Sequence, residues 1–230
     1  LPELHDFGSR ITVRHLIHHT SGLRGTYPDL FVLGGWGMTD RMSTEDVLRL
    51  MSAQRELNYP PGGEFLYVKS GYTLLALIAE RAAGEPFGAL AKRRIFDPLG
   101  MADTGMLTDD RDSRLADTTL MEKMTRMLMG VDADLAFSSD GASGGVVSTP
   151  LDYTTFGRML LAGGTLDGVR VLSKASVTAM TTNQIPGVPD IMFGAREGSW
   201  GYGFSVLGHE RWPYFGGGIV PRGTARHAGA

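Results

Sequence analysis

The stretch FLYVKSG places a phenol and an ammonium group, those of Tyr67 and Lys69, two residues apart. Tyrosine has a reference pKa of about 10, so it acts as a base only where positive charge stabilises the phenolate. The Lys69 ammonium could supply that charge. The alternative is a half-buried tyrosine beside a solvated lysine, which the pair taken alone favours.

Three histidines, His15, His18 and His19, lie in the stretch RHLIHHTSGL. On a helix, His15 and His19 would share one face, as ligands of zinc sites do. No glutamate follows His15 at the position that a zinc protease needs. The sequence therefore favours helix capping and loop hydrogen bonds as the role of these side chains.

Two further motifs could carry chemistry. Ser143 is the centre of a literal G-x-S-x-G, but a nucleophile elbow needs a strand before the serine and a helix directly after it. The residues VVSTP follow instead, so the pattern favours a glycine turn. His227 is followed by small residues as far as Ala230, and on an edge strand these would let a substrate carbonyl approach closely.

The composition is typical of a soluble globular protein, with 230 residues in one large or two small domains, 42% hydrophobic and 20% charged. The net charge of −3 and the lack of charge runs argue against a nucleic-acid surface. The chain has no cysteine, no apolar run of about 20 residues that could span a membrane, and no signal peptide at LPELHDFGSR. The compartment, cytoplasmic or periplasmic and secreted, stays open.

Hydrophobic periodicity and capping residues predict a series of helices near the N-terminus. Thr12 is placed to cap a helix that runs to His19 and stops before Gly22. Ser43 and Asp46 have the spacing of a capping box at the start of a second helix.

A longer helix is predicted over residues 70–83, with Ser70 as its N-cap and Gly84 at its C-terminal end. Its predicted inner stripe comprises Leu74, Leu75, Leu77, Ile78 and Ala82.

Further helices are predicted over residues 87–96, from Pro150 behind the cap Thr149, and from Ser173. Residues 103–145 are expected to form long surface connections, and strands are expected only in GYGFSVL and around residues 219–229. This pattern suggests a helical region that covers a sheet whose strands lie mostly elsewhere.

Five segments in this order resemble the serine β-lactamase-related family: ITVRHLIHHTSGL, YPPGGEFLYVKSGYTLLALIAERAAGEPF, RIFDPLGMADTGM, GGVVSTPLDYTTFGRMLLAGG and GYGFSV. The family includes class C β-lactamases, D-alanyl-D-alanine peptidases and esterases of the same fold, and the run DYTTFGRMLLAGGTLDGVRVLS looks closest to the esterases. The resemblance implies an α/β (α+β) fold like that of β-lactamases and penicillin-binding proteins. The chain would hold mostly its helical part, with the antiparallel sheet incomplete.

The resemblance also implies roles for individual residues. Tyr67 stands where the family has the tyrosine of a Tyr-x-Asn motif, a base or proton shuttle, but Lys69 replaces the asparagine. His227 and Gly229 match a His-x-Gly motif on a strand beside the nucleophile. Ala230 would then offer its backbone N–H to an oxyanion hole.

The family's nucleophile motif, Ser-x-x-Lys, is not found in this sequence: the residues three places before its four lysines are Leu66, Ala89, Leu120 and Val171. In relatives that motif lies upstream of the HTSGL segment. We therefore expect residues 1–230 to be a partial domain that lacks the Ser-x-x-Lys segment and the C-terminal strands. Such a chain alone would lack acyl-enzyme chemistry and would expose apolar helix faces.

The function implied is that of a serine hydrolase acting by acyl transfer on an ester, amide or β-lactam carbonyl, most readily an ester, without a metal or organic cofactor. One alternative is a non-catalytic relative that binds peptidoglycan or a protein. Another is an α/β-hydrolase that uses Ser143 with Asp190 and either His209 or His227. The substrate and the oligomeric state stay open.

Overall fold

The structure, a computed structural model, describes residues 1–25, 35, 43–106, 127, 145–192, 194–207, 221 and 223–227. The chain divides into two compact units. Unit 1 comprises Leu1–His5, Arg24–Arg55 and Val68–Tyr153, and unit 2 comprises Asp6–Leu23, Glu56–Tyr67 and Thr154–Ala230.

Helices and short strands alternate along the described chain. The α-helices are α1 (Val13–Ile17), α2 (Thr44–Ser52), α3 (Lys69–Ala83), α4 (Phe87–Ala91), α5 (Pro150–Leu161) and α6 (Lys174–Thr181), with a π-helical turn at Lys92–Phe96. The strands are β1 (Gly105–Met106), β2 (Val146–Val147), β3 (Thr165–Leu166), β4 (Val169–Arg170), β5 (Ser205–Val206) and β6 (Ala225–Arg226).

The strands form three antiparallel pairs, β1 with β2, β3 with β4, and β5 with β6, each two residues long. The pair β5–β6 falls within the two segments expected to be strands. The expectation that strands occur only there is wrong, because β1 to β4 lie outside both segments. Two-residue strands carry too little alternation to be recognised from sequence.

Helix α1 confirms Thr12 as an N-cap. The Thr12 hydroxyl accepts the N–H of His15 at 3.3 Å, and the His15 ring nitrogen Nδ1 accepts the N–H of Thr12 at 3.3 Å. The helix ends at Ile17 rather than at His19, because His19 adopts a left-handed backbone with φ of 56°.

The capping box of α2 is also confirmed, since Ser43 accepts the N–H of Asp46 at 3.1 Å and donates its own N–H to that carboxylate at 3.1 Å. The side chains of Val47 and Met51 are fully buried. Within unit 1, α2 packs against α3, and α3 packs against α4.

Helix α3 differs from the prediction at its start and on its buried face. It begins at Lys69, with Val68 as an N-cap that makes no side-chain capping bond, so Ser70 lies inside the helix and is fully buried. Gly84 ends it in the left-handed conformation, as predicted. Of the predicted stripe only Leu74 is fully buried, and the buried residues gather in the first half of the helix (Ser70, Gly71, Thr73, Leu74 and Ala76).

The helix predicted over residues 87–96 is divided, because α4 passes into the π-helical turn at Lys92–Phe96. The N–H of Asp97 donates to the carbonyl of Lys92 at 2.8 Å, and that of Met101 donates to the carbonyl of Phe96 at 2.9 Å. Such wide turns have little sequence signature.

Helix α5 begins as predicted: Thr149 accepts the N–H of Asp152 at 3.2 Å. The Asp152 carboxylate is buried and accepts the N–H of Asp103 and the hydroxyl of Thr104, each at 2.9 Å. One side chain therefore joins the start of α5 to the segment that leads into β1. Ser173 likewise caps α6 by accepting the N–H of Ser176 at 3.0 Å.

Within the described part of the chain, no helix is both long and apolar enough to cross a membrane.

Candidate active site

The HTSGL segment lies alongside the chain that leads to Tyr67, and the two run in opposite directions. The carbonyl of His19 accepts the N–H of Leu66 at 3.0 Å. Further along, the carbonyl of Thr20 accepts the N–H of Gly62 at 2.7 Å, and that of Gly22 accepts the N–H of Asn58 at 2.8 Å. These bonds fix the backbone immediately before Tyr67.

Gly22 is needed for this close approach. Its φ is +75°, and a Cβ atom at this position would lie 2.1 Å from the carbonyl oxygen of Tyr59. A side chain here would force the two segments apart.

Phe65 is held on its other side by the segment around Asp190. Its N–H donates to the carbonyl of Pro189 at 2.8 Å, and its carbonyl accepts the N–H of Ile191 at 3.1 Å. The buried Phe65 side chain forms an apolar cluster with Ile185 and Trp200.

Trp200 is 6% exposed and is fixed at two points. Its indole N–H donates to the carbonyl of Ile17 at 3.2 Å, and its backbone N–H donates to Oδ1 of Asn183 at 3.2 Å. A buried indole with its N–H satisfied is a rigid apolar surface.

Tyr67 lies among rings from three parts of unit 2. Its ring centroid is 4.4 Å from that of His19, 5.8 Å from that of Trp200 and 6.2 Å from that of His227. The side chain keeps 36% of its surface exposed. Burial raises the pKa of the Tyr67 phenol. This shift is opposite to the phenolate-favouring effect expected from Lys69, so the phenol is the form held at neutral pH.

His227 directly follows β6, whose pairing with β5 places Arg226 opposite Ser205. The His227 side chain is exposed, and its ring lies 5.9 Å from that of Trp200. The structure therefore brings two of the predicted residues, Tyr67 and His227, close to each other and to the indole ring of Trp200.

The other predicted residues lie in unit 1, beyond the described residues or beside Phe65. Lys69 belongs to unit 1 as the first residue of α3. Gly229 and Ala230 lie outside the described residues, as do Ser143 and His209. Asp190 is buried, and its carboxylate accepts the N–H of Met192 at 2.9 Å.

The strand β2 follows the G-x-S-x-G stretch where a nucleophile elbow would need a helix, since α5 begins only at Pro150. This arrangement argues against Ser143 as the nucleophile of an α/β-hydrolase.

The three histidines near the N-terminus have separate environments. His15 caps α1, His18 is 2% exposed with its ring 5.0 Å from that of Tyr202, and His19 lies beside Tyr67. Burial, with the positive charge of Arg14 and the neighbouring His15, lowers the pKa of His18 to about 4. Among the described residues no group of three or more His, Asp or Glu could hold a metal ion.

Two of the residues whose rings surround Tyr67, His19 and Trp200, were not predicted to lie near it. The family resemblance includes the HTSGL segment, but the spacing of its histidine, His19, indicates only helix capping and loop hydrogen bonds. The contact depends on residues 19, 67 and 200 meeting through the fold, and local spacing does not reveal it.

The ring cluster formed by His19, Phe65, Tyr67, Trp200 and His227 has a defined chemical capability. A protonated phenol and an imidazole, both reachable from solvent on a buried aromatic surface, can pass a proton to or from a bound molecule. Neither group is the alcohol nucleophile of acyl transfer.

The fold is that of β-lactamases and penicillin-binding proteins, as predicted. The structure matches a β-lactamase (Mb2281c) from Mycobacterium bovis with a TM-score of 0.59 and 24% identity, covering 94% of this chain and 57% of that one. The β-lactamase family model matches residues 1–229, and the chain belongs to this family.

Three relatives illustrate the range of the family. Protein Rv1367c from Mycobacterium tuberculosis is 32% identical over 80% of this chain and 47% of its own length. Penicillin-binding protein 4 from Amycolatopsis lactamdurans is 29% identical over 90% of this chain and 52% of its own. Esterase EstB from Burkholderia gladioli is 32% identical over 43% of this chain and 26% of its own length. The chain thus spans about half the length of the first two relatives.

Proposed function

We propose that these residues are part of a serine hydrolase that works by acyl transfer, with Tyr67 as its proton shuttle. The observation that carries the proposal is the 6.2 Å separation of the Tyr67 and His227 rings over Trp200. At these two positions the sequence resembles the family's Tyr-x-Asn and His-x-Gly motifs.

In the proposed reaction a serine hydroxyl oxygen attacks the substrate carbonyl carbon and loses its proton to a base at the site. The tetrahedral intermediate collapses when the leaving alcohol or amine accepts a proton from the Tyr67 phenol. Water then attacks the acyl-serine ester and loses a proton to the Tyr67 phenolate. The acid is released as the serine takes its proton back from the base. Because burial raises the pKa of Tyr67, the phenol is the form present at neutral pH, and its first step in the proposed reaction is to donate a proton.

The nucleophile of this reaction is proposed to lie outside the 230 residues. The sequence contains no Ser-x-x-Lys, and it spans only 47% and 52% of two relatives that match most of it. Lys69, in place of the family's asparagine, cannot accept a hydrogen bond as an amide can, and we propose no proton-transfer role for it.

We propose a small ester as the substrate, in preference to a β-lactam or a peptide amide. The support is the esterase-like run DYTTFGRMLLAGGTLDGVRVLS together with the match to an esterase. The match to a penicillin-binding protein makes a β-lactam the competing substrate to assay.

The test compares Tyr67→Phe with Tyr153→Phe in the full-length gene product, using nitrophenyl esters. Tyr153 is 70% exposed and serves as the matched control for loss of a phenol. We expect Tyr67→Phe to lower kcat by about 100-fold or more, within the usual range for a general acid or base, and Tyr153→Phe to leave it unchanged. Equal activity of the two variants would contradict the proposal.

A non-catalytic binding protein is the second candidate, and the lack of Ser-x-x-Lys together with the lysine at position 69 favours it. It predicts no ester or β-lactam turnover by the wild type, and saturable binding of peptidoglycan fragments that Tyr67→Phe weakens.

A further inference from the structure

His19 has a backbone conformation that L-residues rarely adopt. Its φ is +56°, and among the described non-glycine residues only Asp167 shares a positive value. Residues in this region carry strain and persist where the surrounding structure requires them, often at functional sites. The side chain is 1% exposed, so no substrate can reach it.

The imidazole of His19 is enclosed by aromatic rings of the ring cluster. Tyr67 lies at 4.4 Å with the ring planes inclined at 41°, and Trp200 and Phe65 meet it edge-on at 4.8 and 5.9 Å. Of the three rings measured against Tyr67, that of His19 is the nearest.

The backbone of His19 acts on the same tyrosine from a second direction. Its carbonyl accepts the N–H of Leu66, the residue before Tyr67, at 3.0 Å. One residue therefore fixes both the chain that enters Tyr67 and the face on which the phenol ring rests.

We propose that His19 is a positioning residue, whose imidazole ring holds the Tyr67 phenol in the orientation needed for proton transfer. This inference rests on the proposed function, and it assigns His19 no proton of its own to give or take. Small misplacements of a reacting group lower rates strongly, so loss of the ring should lower kcat and leave KM almost unchanged.

Three variants of the full-length protein separate the ring from the backbone turn. His19→Asn removes the ring but keeps a residue that tolerates positive φ, His19→Phe keeps a flat ring without nitrogen atoms, and His18→Asn changes the adjacent buried histidine. We expect His19→Asn to lower kcat about 10- to 100-fold with KM within about threefold, in line with the cost of misplacing a reacting group. We expect His19→Phe to recover most of that loss and His18→Asn to show no loss in kcat.

Activity of His19→Asn equal to that of wild type would overturn the inference. The backbone turn would then position the Tyr67 phenol without the imidazole ring. Failure of His19→Phe to recover kcat while the protein keeps its fold and the backbone turn at position 19 would also overturn it, since a nitrogen atom would then be required.

A second measurement does not depend on activity. The Tyr67 phenol is titrated by NMR on tyrosine-labelled protein, with its signal assigned from Tyr67→Phe. We expect His19→Asn to bring the Tyr67 pKa down towards its ordinary value and His18→Asn to leave it in place. An inactive wild type would contradict the proposed function alone, whereas an unchanged Tyr67 titration in His19→Asn would contradict the positioning role.

Discussion

Gly22 and Gly8 share a positive φ, of 75° and 67°, but differ in their surroundings. A Cβ at Gly22 would meet the carbonyl of Tyr59 at 2.1 Å, whereas a Cβ at Gly8 would meet no atom within 4 Å. We expect Gly8→Ala to cost about 1 kcal/mol from the left-handed backbone alone, and Gly22→Ala to cost at least about 2 kcal/mol more. Urea unfolding measures both, and equal costs would show that the close approach beside Tyr67 is unimportant.

His18 should make stability depend on pH. Burial lowers its pKa to about 4 from an ordinary value of 6.5, so the unfolded chain binds the proton more tightly. The contribution of neutral His18 to the free energy of unfolding is therefore complete above pH 6.5. It is lost as the pH falls towards 4, by at most ~1.4 kcal/mol per pH unit. His18→Gln should flatten this part of the urea-unfolding profile, and His5→Gln, at an exposed position, should not. A slope that persists in His18→Gln would assign it to other groups.

Single residues with local roles could be predicted from the sequence, whereas the neighbours of Tyr67 could not. The caps Thr12, Ser43, Thr149 and Ser173 act within three residues of themselves, so spacing alone identifies them. The catalytic roles of Tyr67 and His227 were predicted from the resemblance. The contacts of His19 and Trp200 with Tyr67 were visible only in the fold, because they join distant parts of the chain.

At the scale of elements, Asp152 links the start of α5 to the approach to β1. Asp152→Ala removes a buried acceptor from the Asp103 N–H and the Thr104 hydroxyl and should cost about 1–3 kcal/mol. Glu45→Ala, at an exposed first-turn position of α2, is the matched control and should cost less than about 1 kcal/mol. The two costs are compared by thermal and urea unfolding, and similar values would indicate a helix-dipole effect only.

The helix centres were predicted correctly, but several ends and faces were not. Local signals place a helix, but tertiary bonds decide where α1 stops and which face of α3 is buried. The apolar second half of α3 illustrates this, because Ala82 was expected to be buried and is exposed. It lines an open apolar groove in unit 1 together with Ala79, Ala83, Phe87, Leu90, Ala91, Arg94 and Ile95.

For the molecule as a whole, the sequence predicted the fold class and the family through five ordered segments, and both are confirmed. It could not predict the short strands β1 to β4, whose pairing is set by contacts outside their own two residues. That residues 1–230 form a partial domain with uncovered apolar helix faces stays a prediction.

Acyl transfer is tested most directly by the intact mass of the full-length gene product after reaction with a fluorophosphonate probe, followed by peptide mapping. We expect one adduct per molecule, on the serine of a Ser-x-x-Lys motif outside residues 1–230. We also expect labelling to slow in Tyr67→Phe and not in Tyr153→Phe. The absence of any adduct, or an adduct on Ser143, would contradict acyl transfer at the site built around Tyr67 and His227.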